Sequence, residues 1–474
     1  MDRLLEEVEV VEVRGDPGTT EISAIEFDSR CVGAGALFCC VRGEVGDGHD
    51  HAAEAVSRGA SALLVERPLA FDVAQVVVAR GQVRPAMAAL SCRFFDFPAR
   101  SLLTVGVTGT NGKTTVTHLL AAIFDAHGWP TTVIGTLDGA RTTPEAPRLQ
   151  ALLADARDAS RRAVAMEVSS HALAQRRVDG IRYDAAVFTN LSHDHLDYHG
   201  SMEAYFEAKA MLFTAERAAR GVVNEDDAWG RRLLAASDVP CVGYSLREAG
   251  AVRASATGTS FTWRGRTVRL ALAGAFHVAN ALAAAATALS VGVPEDEVVA
   301  GLERAEAVRG RFEVVPTAAP FTVVVDYAHT PDALALALDS AHRVAGTHRV
   351  LCVFGCGGDR DRHKRPAMGA VAAAGADVAV LTSDNPRSED PDAIIAEVLA
   401  GMGGSSEPIV RRDRAEAIDL AVGLAAPGDV VLVAGKGHET EIEIAGARLA
   451  FDDRQVAADA VRRRLSGPEA GDGA

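Results

Sequence analysis

The heptapeptide Gly109-Thr110-Asn111-Gly112-Lys113-Thr114-Thr115 combines two glycines, a lysine and paired threonines in the manner of a phosphate-binding loop. Glycines let backbone amides turn inward around phosphate oxygens, and a helix beginning at the loop adds positive potential. In that arrangement Lys113 reaches the β- and γ-phosphates of a nucleotide, and the Thr114 hydroxyl ligates magnesium (Mg2+). The common GxxxxGK[ST] pattern is not met, because Val107 stands where its first glycine belongs and Gly106 lies one residue earlier. An ordinary glycine turn is the alternative. The context favours the nucleotide: residues 102–105 read as a buried strand, and Val116, Leu119, Leu120, Ile123 and Phe124 recur at helical spacing before Gly128 and Pro130.

Further along, Met166-Glu167-Val168-Ser169-Ser170-His171 closes an apolar run, and a carboxylate there can hold magnesium beside the phosphates. Residues 189–199 then gather His193, Asp194, His195, Asp197 and His199. By composition this cluster is either a metal site or a solvated loop, and its spacing is not the HExxH of a zinc protease. Lys209 lies in a predicted helix over 202–213, with Tyr205, Phe206, Leu212 and Phe213 three or four residues away. Helical geometry therefore puts an ammonium on an apolar face, a costly place unless its stem snorkels to water.

Groups suited to an anionic substrate are spread over all parts of the chain. Arg141, Thr142 and Thr143, with Ser169, Gln175 and Arg177, offer hydroxyls, an amide and guanidinium groups for phosphate or carboxylate. Towards the C-terminus, four apolar runs each end in a polar motif: Asp326-Tyr327-Ala328-His329, Gly357-Gly358-Asp359-Arg360, Asp384-Asn385-Pro386-Arg387 and Gly435-Lys436-Gly437-His438-Glu439. Each alone could cap a helix or make surface ion pairs. Four in succession place ligand chemistry at the carboxyl edge of one sheet, where open α/β sheets bind ligands. Arginines there can pair with a carboxylate, and Glu439 can accept an ammonium.

The elements positioning these groups belong to an α/β chain of about three domains, on a prior of roughly 150 residues each. Hydrophobic residues are 48% and aromatics 5% of the 474, which suits helices packed on parallel sheets. Expected boundaries are 1–100, 101–312 and 313–464, with a small, polar, disordered tail over 465–474. The formal charge, 48 − 64 = −16, disfavours nucleic-acid binding. Seven cysteines without a CxxC pair suggest buried free thiols in a reducing compartment. The acidic N-terminus lacks signal-peptide character, and the alanine-rich stretch 270–289 reads as a buried helix, so no membrane insertion is expected.

The segments TGTNGKTT (108–115), MEVSSH (166–171), NL-x-x-DHLD-x-HG (190–200) and AYFEAKAMLF (204–213) resemble motifs of the Mur ligases. The phosphate loop is shared with their relatives, the folylpolyglutamate synthases. Both groups activate a carboxylate with ATP as an acyl phosphate that an amine then attacks. The resemblance covers almost the whole chain and implies a uridine-binding α/β domain, a central P-loop ATPase domain and a Rossmann-like amino-acid domain.

It also implies roles. Glu167, His195 and Lys209, the last as a carbamate, would organise magnesium with Thr114, and Lys113, Glu167, His195 and Lys209 would carry catalysis. Asn280, Arg311 and Asp326 would join residues 109–115 in binding ATP. Phe27, Ser29 and Glu44 would line a uridine pocket, with Arg141, Thr142, Thr143, Ser169, Gln175 and Arg177 on the rest of a UDP-MurNAc-dipeptide. Arg360, Asp384, Asn385, Pro386, Arg387, Gly435 and Glu439 would bind diaminopimelate, since lysine-adding members usually lack the arginine at 387. Two departures stand out: Arg141 replaces the usual asparagine and Arg309 the usual proline. The expectation is a cytoplasmic, monomeric ligase of cell-wall precursor synthesis. The rivals are another acid–amine ligase of the same fold and a nucleotide-binding regulator without catalysis.

Overall fold

Val-, Ala- and Leu-rich runs become parallel strands here, in sheets whose two faces are both buried. The computed structural model describes residues 1–43, 46–137, 139, 141–403 and 408–466. A first sheet contains β1 (Glu12–Arg14), β2 (Ala24–Glu26), β3 (Ala36–Cys39), β4 (Ala60–Val65) and β5 (Ala74–Val77) in the order β1-β5-β4-β3-β2, parallel except for β1.

The central sheet is entirely parallel. It contains β6 (Leu103–Thr108), β7 (Thr131–Ile134), β8 (Ala163–Glu167), β9 (Ala185–Phe188), β10 (Gly221–Asn224) and β11 (Cys241–Tyr244) in the order β11-β10-β9-β6-β8-β7. Successive residues feed opposite cores: Ala163, Ala165, Ala185 and Val187 pack with the helices Lys113–Ala126 and His277–Ser290, whereas Val164, Met166, Ala186 and Phe188 pack with Tyr205, Phe206 and Leu212. The chain leaves β6 towards β7 and β8 on one side and returns to β9 on the other. The loop after β6 thus sits at the switch point where open sheets bind ligands.

An antiparallel sheet follows, made of β12 (Ala249–Ser255), β13 (Gly258–Trp263) and β14 (Arg266–Leu270). The stretch 270–289, expected as one helix, is divided. Leu270 pairs with Thr259 as the last residue of β14, and the helix begins only at His277. Cross-strand pairing wins over alanine's helical preference.

The last sheet contains β15 (Glu313–Val314), β16 (Thr322–Asp326), β17 (Val350–Phe354), β18 (Val378–Leu381), β19 (Ile409–Val410) and β20 (Val430–Ala434) in the order β15-β16-β20-β17-β18-β19, parallel except for β15. A hairpin of β21 (Glu441–Ile444) and β22 (Ala447–Ala450) follows. The closing helix, Asp453–Ser466, carries the expected disordered residues 465 and 466 in its last turn. Val461 is buried beneath that turn and Arg463 meets Asp419 at 2.6 Å, which holds it in place. Residues 467–474 lie outside the described residues.

All seven cysteines are free thiols; Cys31 is exposed, Cys241 half-buried and the others buried. Among the described residues, no helix is long and apolar enough to cross a membrane.

Candidate active site

The phosphate loop is shaped by close packing against the segment that follows β9. Gly109 has φ +146°, and a Cβ there would lie 1.9 Å from the Thr189 hydroxyl. Gly112 has φ +87°, and a Cβ there would lie 2.5 Å from Asn280 Oδ1. Only glycine fits either position. Thr110 N donates to Asn190 O and Asn111 N to Asn190 Oδ1, both at 2.9 Å, so the loop is fixed from outside. The helix Lys113–Ala126 starts immediately after it, with Thr114 and Thr115 buried in its first turn.

Glu167, at the end of β8, is 1% exposed. Its partners are neutral: Oε1 accepts from Thr114 Oγ1 at 3.0 Å and Thr136 N at 2.8 Å, and Oε2 accepts from Thr136 Oγ1 at 3.2 Å. A buried carboxylate served by neutral donors fits a cation. Among the described residues no group of three or more His, Cys, Asp or Glu forms a metal cage. Magnesium on phosphates requires none, because it binds through one or two carboxylates plus phosphate and water oxygens.

Two lysines converge on one carbonyl. Lys113 Nζ donates to Gly109 O and Thr110 O at 2.9 Å each, and Lys209 Nζ donates to the same Gly109 O at 2.9 Å. Lys209 is 1% exposed and lies 4.5 Å from the centre of the Tyr205 ring, whose hydroxyl is 3.2 Å from Thr110 Oγ1. The helix carrying it runs over Met202–Ala210, and Met211–Phe213 tighten into a 3-10 turn. Burial, and then the neighbouring Lys113 charge, push the Lys209 ammonium well below its ordinary pKa. Snorkelling is excluded by this placement.

His195 lies in the cleft beside Asp194, with its ring 4.8 Å from His171. Burial, against the pull of the neighbouring Asp194 carboxylate, holds its pKa well below the ordinary imidazole value, so it is a neutral imidazole able to ligate. Next to Glu167, Thr143 Oγ1 donates to Glu167 O at 2.9 Å and accepts from Ser169 N at 3.0 Å, and the Thr136 and Thr142 hydroxyls lie 3.1 Å apart. Arg177 donates to Thr143 O at 3.0 Å and Gln175 Oε1 at 2.6 Å. Its Nε lies 3.0 Å from the buried Glu145, which Arg141 and Arg84 also meet at 2.9 and 3.1 Å.

On the opposite flank, Arg311 Nη2 donates to Thr114 Oγ1 at 2.9 Å. Asp326 accepts from Phe312 N at 2.6 Å and Ala328 N at 2.8 Å, which ties the crossover between the central and last sheets to the end of β16. Asn280 reaches the loop through its contact at Gly112. Ser29 and Phe27 belong to the first sheet's surroundings, where Ser29 Oγ donates to Glu54 Oε2 at 2.7 Å. Glu44 lies outside the described residues.

A cavity of about 230 Å³ joins the two larger sheets. Arg360, Asp384, Asn385, Arg387, Gly435 and Glu439 line it from the last sheet, and Asp194, His195 and Asp197 from the central one. Pro386 is not in its lining. Across the cleft, His193 Nε2 and Asp361 Oδ2 are 2.8 Å apart, and Lys364 Nζ and His329 Nε2 each lie 3.8 Å from Asp194. Asp361, Lys364, Thr136 and Glu145 escaped the sequence reading. Lys364 carries one signal, since it opens the helix Lys364–Gly375 at the end where the helix dipole disfavours a cation.

Family models match three segments in turn: the Mur ligase family catalytic domain over 21–96, the Mur ligase middle domain over 107–288 and the Mur ligase glutamate ligase domain over 310–437. The chain belongs to the Mur ligase family. A Geobacillus kaustophilus member named UDP-N-acetylmuramoyl-L-alanyl-D-glutamate–2,6-diaminopimelate ligase is 46% identical over 473 residues, 94% of this chain and 96% of its own. A Syntrophomonas wolfei Mur ligase of the same name is 42% identical over 478 residues, covering 96% and 98%. A solved structure under that name aligns at TM-score 0.64 and 33% identity, over 96% of this chain and 98% of that one.

Proposed function

We infer that this chain is the ATP-dependent ligase that joins diaminopimelate to UDP-N-acetylmuramoyl-L-alanyl-D-glutamate in peptidoglycan synthesis. The observation that carries this reading is the cavity, which sets Arg387 and Glu439 opposite His195 of the phosphate-loop domain. Residues 1–100 hold the uridine end, 101–312 the ATP and 313–464 the amino acid. The enzyme acts as a cytoplasmic monomer.

The loop amides and Lys113 receive the β- and γ-phosphates, and Asn280, Arg311 and Asp326 shape the nucleoside side. Thr142, Thr143, Ser169, Gln175 and Arg177 hold the muropeptide so that the D-glutamate γ-carboxylate faces the γ-phosphorus. A carboxylate oxygen attacks that phosphorus, the bond to the ADP oxygen breaks, and an acyl phosphate forms. The amine nitrogen then attacks the acyl carbon, phosphate leaves and the nitrogen loses a proton. Thr114, Glu167, His195 and the Lys209 carbamate would hold magnesium, which neutralises phosphate charge when bound. Most of the catalytic effect is positioning and charge stabilisation.

Arg387 selects the amino acid. Its φ of +53° is strained for a non-glycine residue, and the β21–β22 hairpin holds it there: Arg387 N donates to Glu443 O at 3.0 Å and Ala445 N to Arg387 O at 2.7 Å. Nη1 donates to Gly358 O at 2.7 Å, and the side chain also lines the cavity. Diaminopimelate and lysine share a chain and amines, but only diaminopimelate has a second carboxylate for the guanidinium to bind. Losing a buried pair of this kind costs about 2–5 kcal/mol, or roughly 30- to several-thousand-fold. Arg387→Ala is therefore expected to cut kcat/KM for diaminopimelate by that factor and to leave lysine use unchanged or improved. Amine-dependent phosphate release with both amino acids measures it. Equal losses for both would mean that Arg387 supports the loop rather than reading the carboxylate.

A further inference from the structure

Lys436 is fully buried next to the cavity but does not line it, and its charge serves no step above. All three of its protons are used: Nζ donates to Glu441 O at 2.6 Å, Glu439 Oε2 at 2.9 Å and Asn385 Oδ1 at 3.2 Å. Asn385 closes the triangle. Its Nδ2 donates to the same Glu439 Oε2 at 2.8 Å, and its Oδ1 also accepts from Glu443 N at 3.0 Å. Asn385 thus spends three of its four hydrogen-bonding positions inside the protein.

Both donors on Glu439 therefore fall on Oε2, and neither touches Oε1. A carboxylate pinned through one oxygen cannot rotate freely, and on this cavity-lining residue Oε1 is the oxygen that neither donor occupies. We propose that Lys436 is a positioning residue which, with Asn385, fixes Glu439 so that Oε1 receives an amine or ammonium of the incoming amino acid. This rests on the reading of the cavity as the amino-acid pocket. What it adds to that reading is the support of Glu439 by Lys436 and the Asn385 side chain. A buried ammonium with a carboxylate partner also explains how a lysine is tolerated there.

The test is a double-mutant cycle in the full-length enzyme, with KM measured separately for diaminopimelate, ATP and the UDP-linked precursor. Lys436→Met should raise the diaminopimelate KM by about 10- to 100-fold, the scale on which removing the partner that orients a metal-ligating side chain weakens metal binding. The KM values for ATP and precursor should stay within about twofold, because the lost interaction serves one substrate. In a Glu439→Gln background the same substitution should add little, since its effect passes through the carboxylate already lost. A full second penalty in that background, or a parallel rise in all three KM values, overturns the proposal. If Lys436→Met does not fold, Lys436→Gln is read in the same way. Failure of both to fold while Glu439→Gln folds means that Lys436 supports the fold independently of Glu439, which also overturns it. A wild-type enzyme that ligates other amines but ignores diaminopimelate overturns the reading of the pocket instead, and shows it before any variant is made.

Discussion

Lys113→Ala is expected to lower the rate of acyl-phosphate formation by about a thousandfold or more, the scale on which phosphoryl transfer depends on charge held at the transferring group. Lys113 Nζ lies within the loop, donating to Gly109 O and Thr110 O at 2.9 Å. Burial lowers its pKa, so its proton is carried at a desolvation cost that a phosphate would offset. Alanine keeps the helix and the glycine geometry but removes the charge. Binding of the UDP-linked precursor should persist, because Ser29 and Arg177 are held by separate partners, Glu54 and Glu145. Calorimetric binding of the precursor and ADP formation by the same variant separate the two. Turnover near the wild-type rate would show that the loop does not bind the transferring phosphate.

Lys209→Ala is expected to be nearly inactive, with losses of about 100- to 1,000-fold, the range for removing one preorganised stabilising group. Lys113 and Lys209 both donate to Gly109 O at 2.9 Å, so two ammonium groups would crowd one carbonyl. On the proposed reading, Lys209 as a neutral amine would add CO2, forming an N–C bond and releasing a proton, and would leave an anion beside Lys113. Short carboxylic acids such as acetate should partly restore Lys209→Ala, because they return a negative charge to the space left by the side chain. No such rescue is expected for Lys113→Ala. An unmodified Lys209 in a crystal structure of the active, ligand-bound enzyme would contradict the carbamate.

The α/β class, the family and the ligase reaction were legible because their signals are local. A strand, a glycine loop and a helix follow one another within residues 103–126, and the central sheet's apolar runs are continuous because both faces are buried. Contacts that depend on distant pairing were not legible. His193 meets Asp361 across 168 residues, Thr114 meets Arg311 across 197, and no spacing rule announces either. Lys209 shows the limit from the other side. Periodicity placed it on an apolar face but allowed snorkelling, and only the packing of Tyr205 and Gly109 around Nζ closes that route. At residues 270–276 the composition favoured helix, whereas the pairing of Leu270 with Thr259 made strand and turn. Arg141 is a similar case. Its partner Glu145 lies four residues on, but the convergence of Arg84 and Arg177 on the same carboxylate is tertiary.

The most direct measurement supplies the purified enzyme with ATP, magnesium and UDP-N-acetylmuramoyl-L-alanyl-D-glutamate, and offers diaminopimelate, lysine and D-alanyl-D-alanine separately, with the product identified by mass. The arrangement of Arg387 and Glu439 in one cavity predicts a product carrying one diaminopimelate residue, formed with one ADP and at least tenfold faster than any lysine product. A product carrying lysine at an equal or greater rate, or ADP formation without any ligated amine, would contradict the account.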